Sequence, residues 1–110
     1  MLRTHTCGEL RPSKIGSTVT LCGWVDRVRD HKGVLFLDLR DRWGRTQIVI
    51  GPQSSPEAFE AARQVRPEWV VLAEGIVSPR PEGTLNLKLP TGAVELSCLK
   101  LTVLNQAETP

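Results

Sequence analysis

Apolar and polar positions alternate with a period of two over most of the chain, which is the signature of half-buried strands. The run Thr18-Val-Thr-Leu-Cys-Gly-Trp-Val25 is rich in β-branched and aromatic residues. From Val34 to Leu39 the alternation is clean: Leu35, Leu37 and Leu39 make one face, while Phe36, Asp38 and Arg40 fall on the other. Arg42-Trp-Gly-Arg45 reads as a turn, and Thr46-Gln-Ile-Val-Ile50 as a third strand. These three predict an antiparallel meander. The loop Gly51–Pro56 leads to a helix start, with Ser55 as cap, Pro56 at the first position and Glu57 in the first turn. Ala58, Ala62 and Val65 then recur at helical spacing, with Phe59 beside them, and Pro67 ends the helix. Trp69–Val77 predicts a fourth strand and Ala93–Leu104 a fifth, separated by a Pro- and Gly-bearing loop from Ser78 to Gly92. In the fifth strand Val94 and Leu96 do not share parity with Leu101 and Val103, which predicts a bulge near Ser97–Leu99.

The order β-β-β-α-β-β, with one short helix between strands 3 and 4, is that of an OB-fold, an all-β five-stranded Greek-key barrel. Residues 1–104 make up this domain, and the polar tail 105–110 is expected to begin a hinge. The usual OB binding face uses strands 2 and 3. Phe36 therefore stands on that face, whereas a strand serving only a core would place it with the leucines.

A length of 110 residues supports one small domain. No apolar run reaches the roughly 18 residues that span a membrane, and the first residues contain no apolar signal core. Cys7, Cys22 and Cys98 are odd in number and widely spaced, which predicts free, partly buried thiols rather than a zinc site or disulfides. A cytosolic location is expected. The net charge of +2 is unevenly distributed: residues 1–50 carry +4 and residues 51–110 carry −2. The basic half suggests a surface that faces a polyanion.

Catalytic patterns are missing: there is no phosphate loop, no GxSxG and no HExxH. His5 and His31 lie far apart, without companions for a metal, and no metal or cofactor is expected in this chain. Binding chemistry is better represented. Arg27, Arg29 and Lys32 precede the second strand and Arg40, Arg42 and Arg45 follow it, placed to neutralise phosphates. Phe36 between them could stack on a base. Gln47 could read a base edge, because its amide both donates and accepts. The plainer alternatives are a barrel-corner core position for Phe36, a solvated strand position for Gln47, and salt bridges from the arginines to Asp26, Asp30, Asp38 and Asp41.

The segment GWVDRVRDHKGVLFLDLRDRWGRTQIVI resembles the N-terminal domain of bacterial-type and mitochondrial aspartyl-tRNA synthetases. RTHTCGELRPSKIGSTVTLCGWV is similar to that family's opening, and PTGAVEL and LNQAETP to the segment that closes its barrel and leads into the hinge. The resemblance covers nearly the whole chain, with motifs in order at three separated places. It implies an anticodon-binding domain for the aspartate tRNA, in which Phe36 stacks on the central uridine and Gln47 contacts the same base. It further implies that Arg29, with Arg27, meets the anticodon region and that Asn86 reads the third anticodon base. His31 corresponds to a position tied to whether the asparagine tRNA is also accepted. There are departures. Val28 replaces the middle cation of an Arg-Arg-Arg run, and Lys32 replaces a usual Gly, partly restoring the charge. Trp43 stands where a small or polar residue is usual, and reads as exposed packing at the hairpin tip with RNA contact as the alternative. The family continues into a class II catalytic domain using ATP and Mg, whose motifs this sequence does not contain. The chain is thus expected to be an excised or standalone recognition domain, monomeric although its parent would be a homodimer, in the cytoplasm or the mitochondrial matrix. Two further readings stay open: a general single-strand-binding OB domain, and an OB scaffold adapted to bind protein.

Overall fold

The computed structural model describes residues 3–81, 89 and 91–106. It contains β1 (Thr18–His31), β2 (Val34–Asp41), β3 (Gly44–Ile50), α1 (Pro56–Gln64), β4 (Val70–Pro79) and β5 (Val94–Asn105). The strands close into a barrel in the order β1-β2-β3-β5-β4, with β4 returning to β1. Every pairing is antiparallel except β3 with β5, which is parallel at Ile48↔Leu96 and Val49↔Ser97. This is the five-stranded barrel with one helix between strands 3 and 4 that the alternation predicts.

The inward parity fills the barrel. Leu21, Leu37, Leu39, Ile48, Ile50, Val71 and Leu96 are fully buried. Such burial stabilises by about 25 cal/mol per Å² of apolar surface removed from water. Helix α1 packs on the barrel core with Ala58 and Ala62, joined by Val65 just past its C-terminus. Its cap is as expected, since the Ala58 N–H donates to Ser55 Oγ at 3.0 Å. The expected bulge lies at Leu99, where the register steps from Gly75↔Cys98 to Glu74↔Lys100. It turns two carbonyls toward the helix: the Ser55 N–H donates to the Leu99 carbonyl at 3.2 Å and the Ser54 hydroxyl to the Cys98 carbonyl at 2.5 Å.

The N-terminal segment is locked over the β2–β3 turn. The Cys7 N–H donates to Asp41 Oδ2 at 2.8 Å, and the buried Thr46 hydroxyl donates to the Cys7 carbonyl at 2.6 Å. The backbones meet so closely that a Cβ on Gly44 would lie 2.5 Å from the Gly8 Cα. All three cysteines are free and buried, as expected, and burial pushes the Cys98 thiol up to about 12.

One element differs from expectation. Residues 26–31, read as a charged approach to the second strand, belong to β1, which runs unbroken to His31. Pairing with β4 stops at Trp24↔Val70, while pairing with β2 continues past a bulge at Asp26 to His31↔Val34. The extension is held by the hairpin ladder with β2 rather than by an apolar face, so its charges hide it from a periodicity argument. Val28, within this extension, packs against the core.

The β1–β2 connection is a two-residue turn with positive φ at both Lys32 (53°) and Gly33 (84°), the signs of a type I′ hairpin turn. A lysine in the left-handed region has a steric cost that asparagine largely avoids. We therefore expect Lys32→Asn to stabilise the fold by about 0.5–1 kcal/mol in chemical denaturation.

Candidate nucleic-acid interface

The meander registers fix what lies side by side on its outer face. One row across β1, β2 and β3 is Arg29, Phe36 and Val49; the next is Arg27, Asp38 and Gln47; a third is Trp24, Arg40 and Arg45. Phe36 stays out of the buried core because its parity opposes that of the leucines. Its ring stands beside the Arg29 guanidinium, 5.5 Å from its centroid.

Arg29 then ties the rows together. Its Nη2 donates to Asp38 Oδ1 at 3.2 Å and to Gln47 Oε1 at 2.9 Å. Gln47 Nε2 in turn donates to Glu95 Oε1 at 3.0 Å. The chain Asp38–Arg29–Gln47–Glu95 fixes which end of the Gln47 amide is which. Gln47 is only 6% exposed, so it is not a solvated strand residue but a held one. One donor and one acceptor site of its amide are used; its second N–H and second lone pair are the groups that could meet a ligand. Arg29 Nε is a buried nitrogen without a partner among the described residues.

These side chains line a cleft of about 620 Å³, whose walls include Arg29, His31, Phe36, Gln47, Arg80 and Glu95. Burial raises the Glu95 carboxyl above its ordinary value, partly offset by the Gln47 hydrogen bond and by Arg80. Burial lowers Arg80 in the same way, and its Nε donates to the Val94 carbonyl at 3.3 Å. An apolar platform beside paired donors and acceptors suits a flat ring with polar edges.

Of the residues expected from sequence, Arg29, His31, Phe36 and Gln47 meet in this cleft. Arg27 lines the adjoining polar cleft instead, and Lys32 sits exposed at the hairpin tip, outside the cleft wall. Asn86 lies outside the described residues. Some arginines also form the expected ion pairs: Arg45 with Asp26 at 2.8 Å and Arg40 with Asp26 at 3.9 Å. Two charged wall residues, Arg80 and Glu95, were not singled out by the sequence pattern. Glu95 reaches Gln47 because β3 and β5 pair in parallel, a contact between distant segments. Its one sequence signal was a carboxylate at an outward position of a strand, which is common on any surface.

Residues 19–104 match the family model described as the OB-fold nucleic acid binding domain. The chain belongs to that family. Over 98% of its length it is 52% identical to an aspartate–tRNA(Asp/Asn) ligase of Protochlamydia amoebophila and 56% identical to that of Rubrobacter xylanophilus. A Methylobacterium relative of the same name is 61% identical over 96% of the chain. The chain spans about 17–18% of the length of these relatives. Among solved structures, the asparaginyl-tRNA synthetase of Pyrococcus horikoshii superposes with a TM-score of 0.80 at 30% identity, over 97% of this chain and 23% of that one. An OBody bound to hen egg-white lysozyme shares the fold, with a TM-score of 0.83 at 24% identity over 97% of each chain.

The raised Glu95 carboxyl gives a pH prediction for this family member. The folded protein holds that proton more tightly than the unfolded chain does. Keeping Glu95 ionised therefore costs stability near neutral pH, and the cost fades as pH falls through the raised value. Glu95→Gln keeps an oxygen for Gln47 to donate to. Thermal unfolding should show this variant more stable than the parent near neutral pH, with the difference shrinking toward the ordinary carboxylate range.

Proposed function

We propose that the chain is the anticodon-reading domain of an aspartate–tRNA ligase and that its ligand is the anticodon loop of the aspartate tRNA. The observation that carries this is the single cleft in which the Phe36 ring lies beside the Gln47 amide held by Arg29 and Glu95. RNA loops are read by such a combination of stacking and base-edge hydrogen bonds. In this reading Phe36 stacks on the central uridine and Gln47 addresses its edge. Arg29 holds Gln47 and meets the backbone, while Arg27 supplies charge one row away. Asn86 is assigned the third base and Lys32 a phosphate near the hairpin tip.

Acceptance of the asparagine tRNA as well is part of the proposal. It is supported by the relatives named for tRNA(Asp/Asn) and by His31 at the cleft wall. The place of action would be wherever such a ligase works, the cytoplasm or the mitochondrial matrix.

The test is binding of the chain to a hairpin RNA whose loop carries G-U-C. Phe36→Ala should lose about 1–3 kcal/mol, or about 5- to 150-fold in affinity. Exchange of the central uridine for cytidine should weaken the parent more than Gln47→Ala. Equal affinity of the parent and Phe36→Ala for the hairpin would remove the stacking role, and equal binding of unrelated single strands would favour a general single-strand binder.

A further inference from the structure

The Phe36 cleft does not end at the Gln47 row. It shares Arg29, Gln47 and Arg80 with a polar cleft of about 200 Å³. That cleft shares Arg45 and Leu89 with a third, of about 430 Å³, which reaches Trp43 at the β2–β3 turn. The three form one continuous groove along the outer face of the meander. From Phe36 to Asp41 it follows five residues of β2, about 17 Å at the usual strand rise.

Its chemistry changes along the way. In the two clefts beyond Phe36, six arginines (27, 29, 40, 42, 45 and 80) stand against Asp38 and Asp41 in the walls and Asp26, which pairs with Arg40 and Arg45, among the described residues. At the far end stands a second large aromatic. Trp43 is 54% exposed, with the Arg3 guanidinium 4.5 Å and the Arg42 guanidinium 5.7 Å from its ring centroid. Its exposure is not a failure of local order, because the turn beneath it is fixed: Asp41 Oδ1 accepts from the Trp43 N–H at 2.9 Å and from the Gly44 N–H at 3.0 Å. An indole held outward between cations, at the end of a cationic groove that starts at the half-buried Phe36 ring, matches a polyanion carrying flat bases.

We propose that Trp43 is a second stacking site for the same RNA strand. A nucleotide outside the anticodon triplet stacks on the indole, and the intervening backbone runs over the arginines of the groove. This extends the anticodon-reading proposal and rests on it. The RNA class it selects is a loop long enough to bridge both rings.

The experiment measures affinity of the chain for the G-U-C hairpin with a seven-nucleotide loop, for the parent, Trp43→Ala, Trp43→Phe and Phe36→Ala. Removal of a stacked base partner should cost Trp43→Ala about tenfold, with Trp43→Phe retaining most of the affinity. Saturating RNA should also quench a larger share of tryptophan emission in the parent than in Trp43→Ala. The thermal midpoint of Trp43→Ala should match that of the parent, because the side chain is mostly exposed and the turn bonds are made by backbone. If Trp43→Ala binds and quenches as the parent does while Phe36→Ala is weakened, the second site is overturned and the anticodon reading stands. If no variant, the parent included, binds the hairpin at low salt, both are overturned.

Discussion

The short parallel contact between β3 and β5 is the constraint on which the rest of the molecule depends. The contact is only two residue pairs long, yet it closes the five strands into a barrel. It requires the chain to return in the same direction, so a long connection must pass through α1 and β4 before β5 can take its place. It also fixes the neighbour of Gln47. With Ile48 opposite Leu96, the preceding residues Gln47 and Glu95 come together on the outer face, where they form their hydrogen bond. The closure that completes the core therefore also completes the polar half of the cleft.

Two of the register shifts divide the work between core and surface. The bulge at Leu99 reverses the parity of β5, so that Leu101 still faces inward after Cys98 does. The displaced backbone receives the start of α1. The bulge at Asp26 does the corresponding thing on β1, placing Arg27 and Arg29 beyond the region paired with β4 yet still in register with Asp38 and Phe36. A straight ladder would set these arginines one step away from the rows they now share.

The site also shows why a polar network can be built on a small barrel. Arg29 and Asp38 are partly exposed, and their ion pair alone adds little to stability. Its value is geometric: it holds the guanidinium against Phe36 and fixes the oxygen end of Gln47. Glu95 fixes the nitrogen end at a cost, visible in the raised carboxyl. A buried amide with both ends defined presents one pattern of donor and acceptor to a ligand, whereas a freely rotating one presents two.

Local pattern was enough to determine the strands, the helix and its Ser55 cap, the inward leucines, the Leu99 bulge and the outward placement of Phe36. Each of these follows from a period of two or 3.6 set by neighbours a few residues apart. The motif resemblance further singled out Gln47, Arg29 and His31, which do share a cleft. The full length of β1 was not readable, because hairpin hydrogen bonds hold its charged end where no apolar periodicity marks it. Arg80 and Glu95 were not readable either, because they lie far from Gln47 in sequence and reach the cleft only through barrel closure. The groove joining Phe36 to Trp43 was likewise decided in three dimensions. Its arginines come from β1, β2, the β2–β3 turn, β3 and the residue just after β4, and the register of the closed sheet brings these segments together.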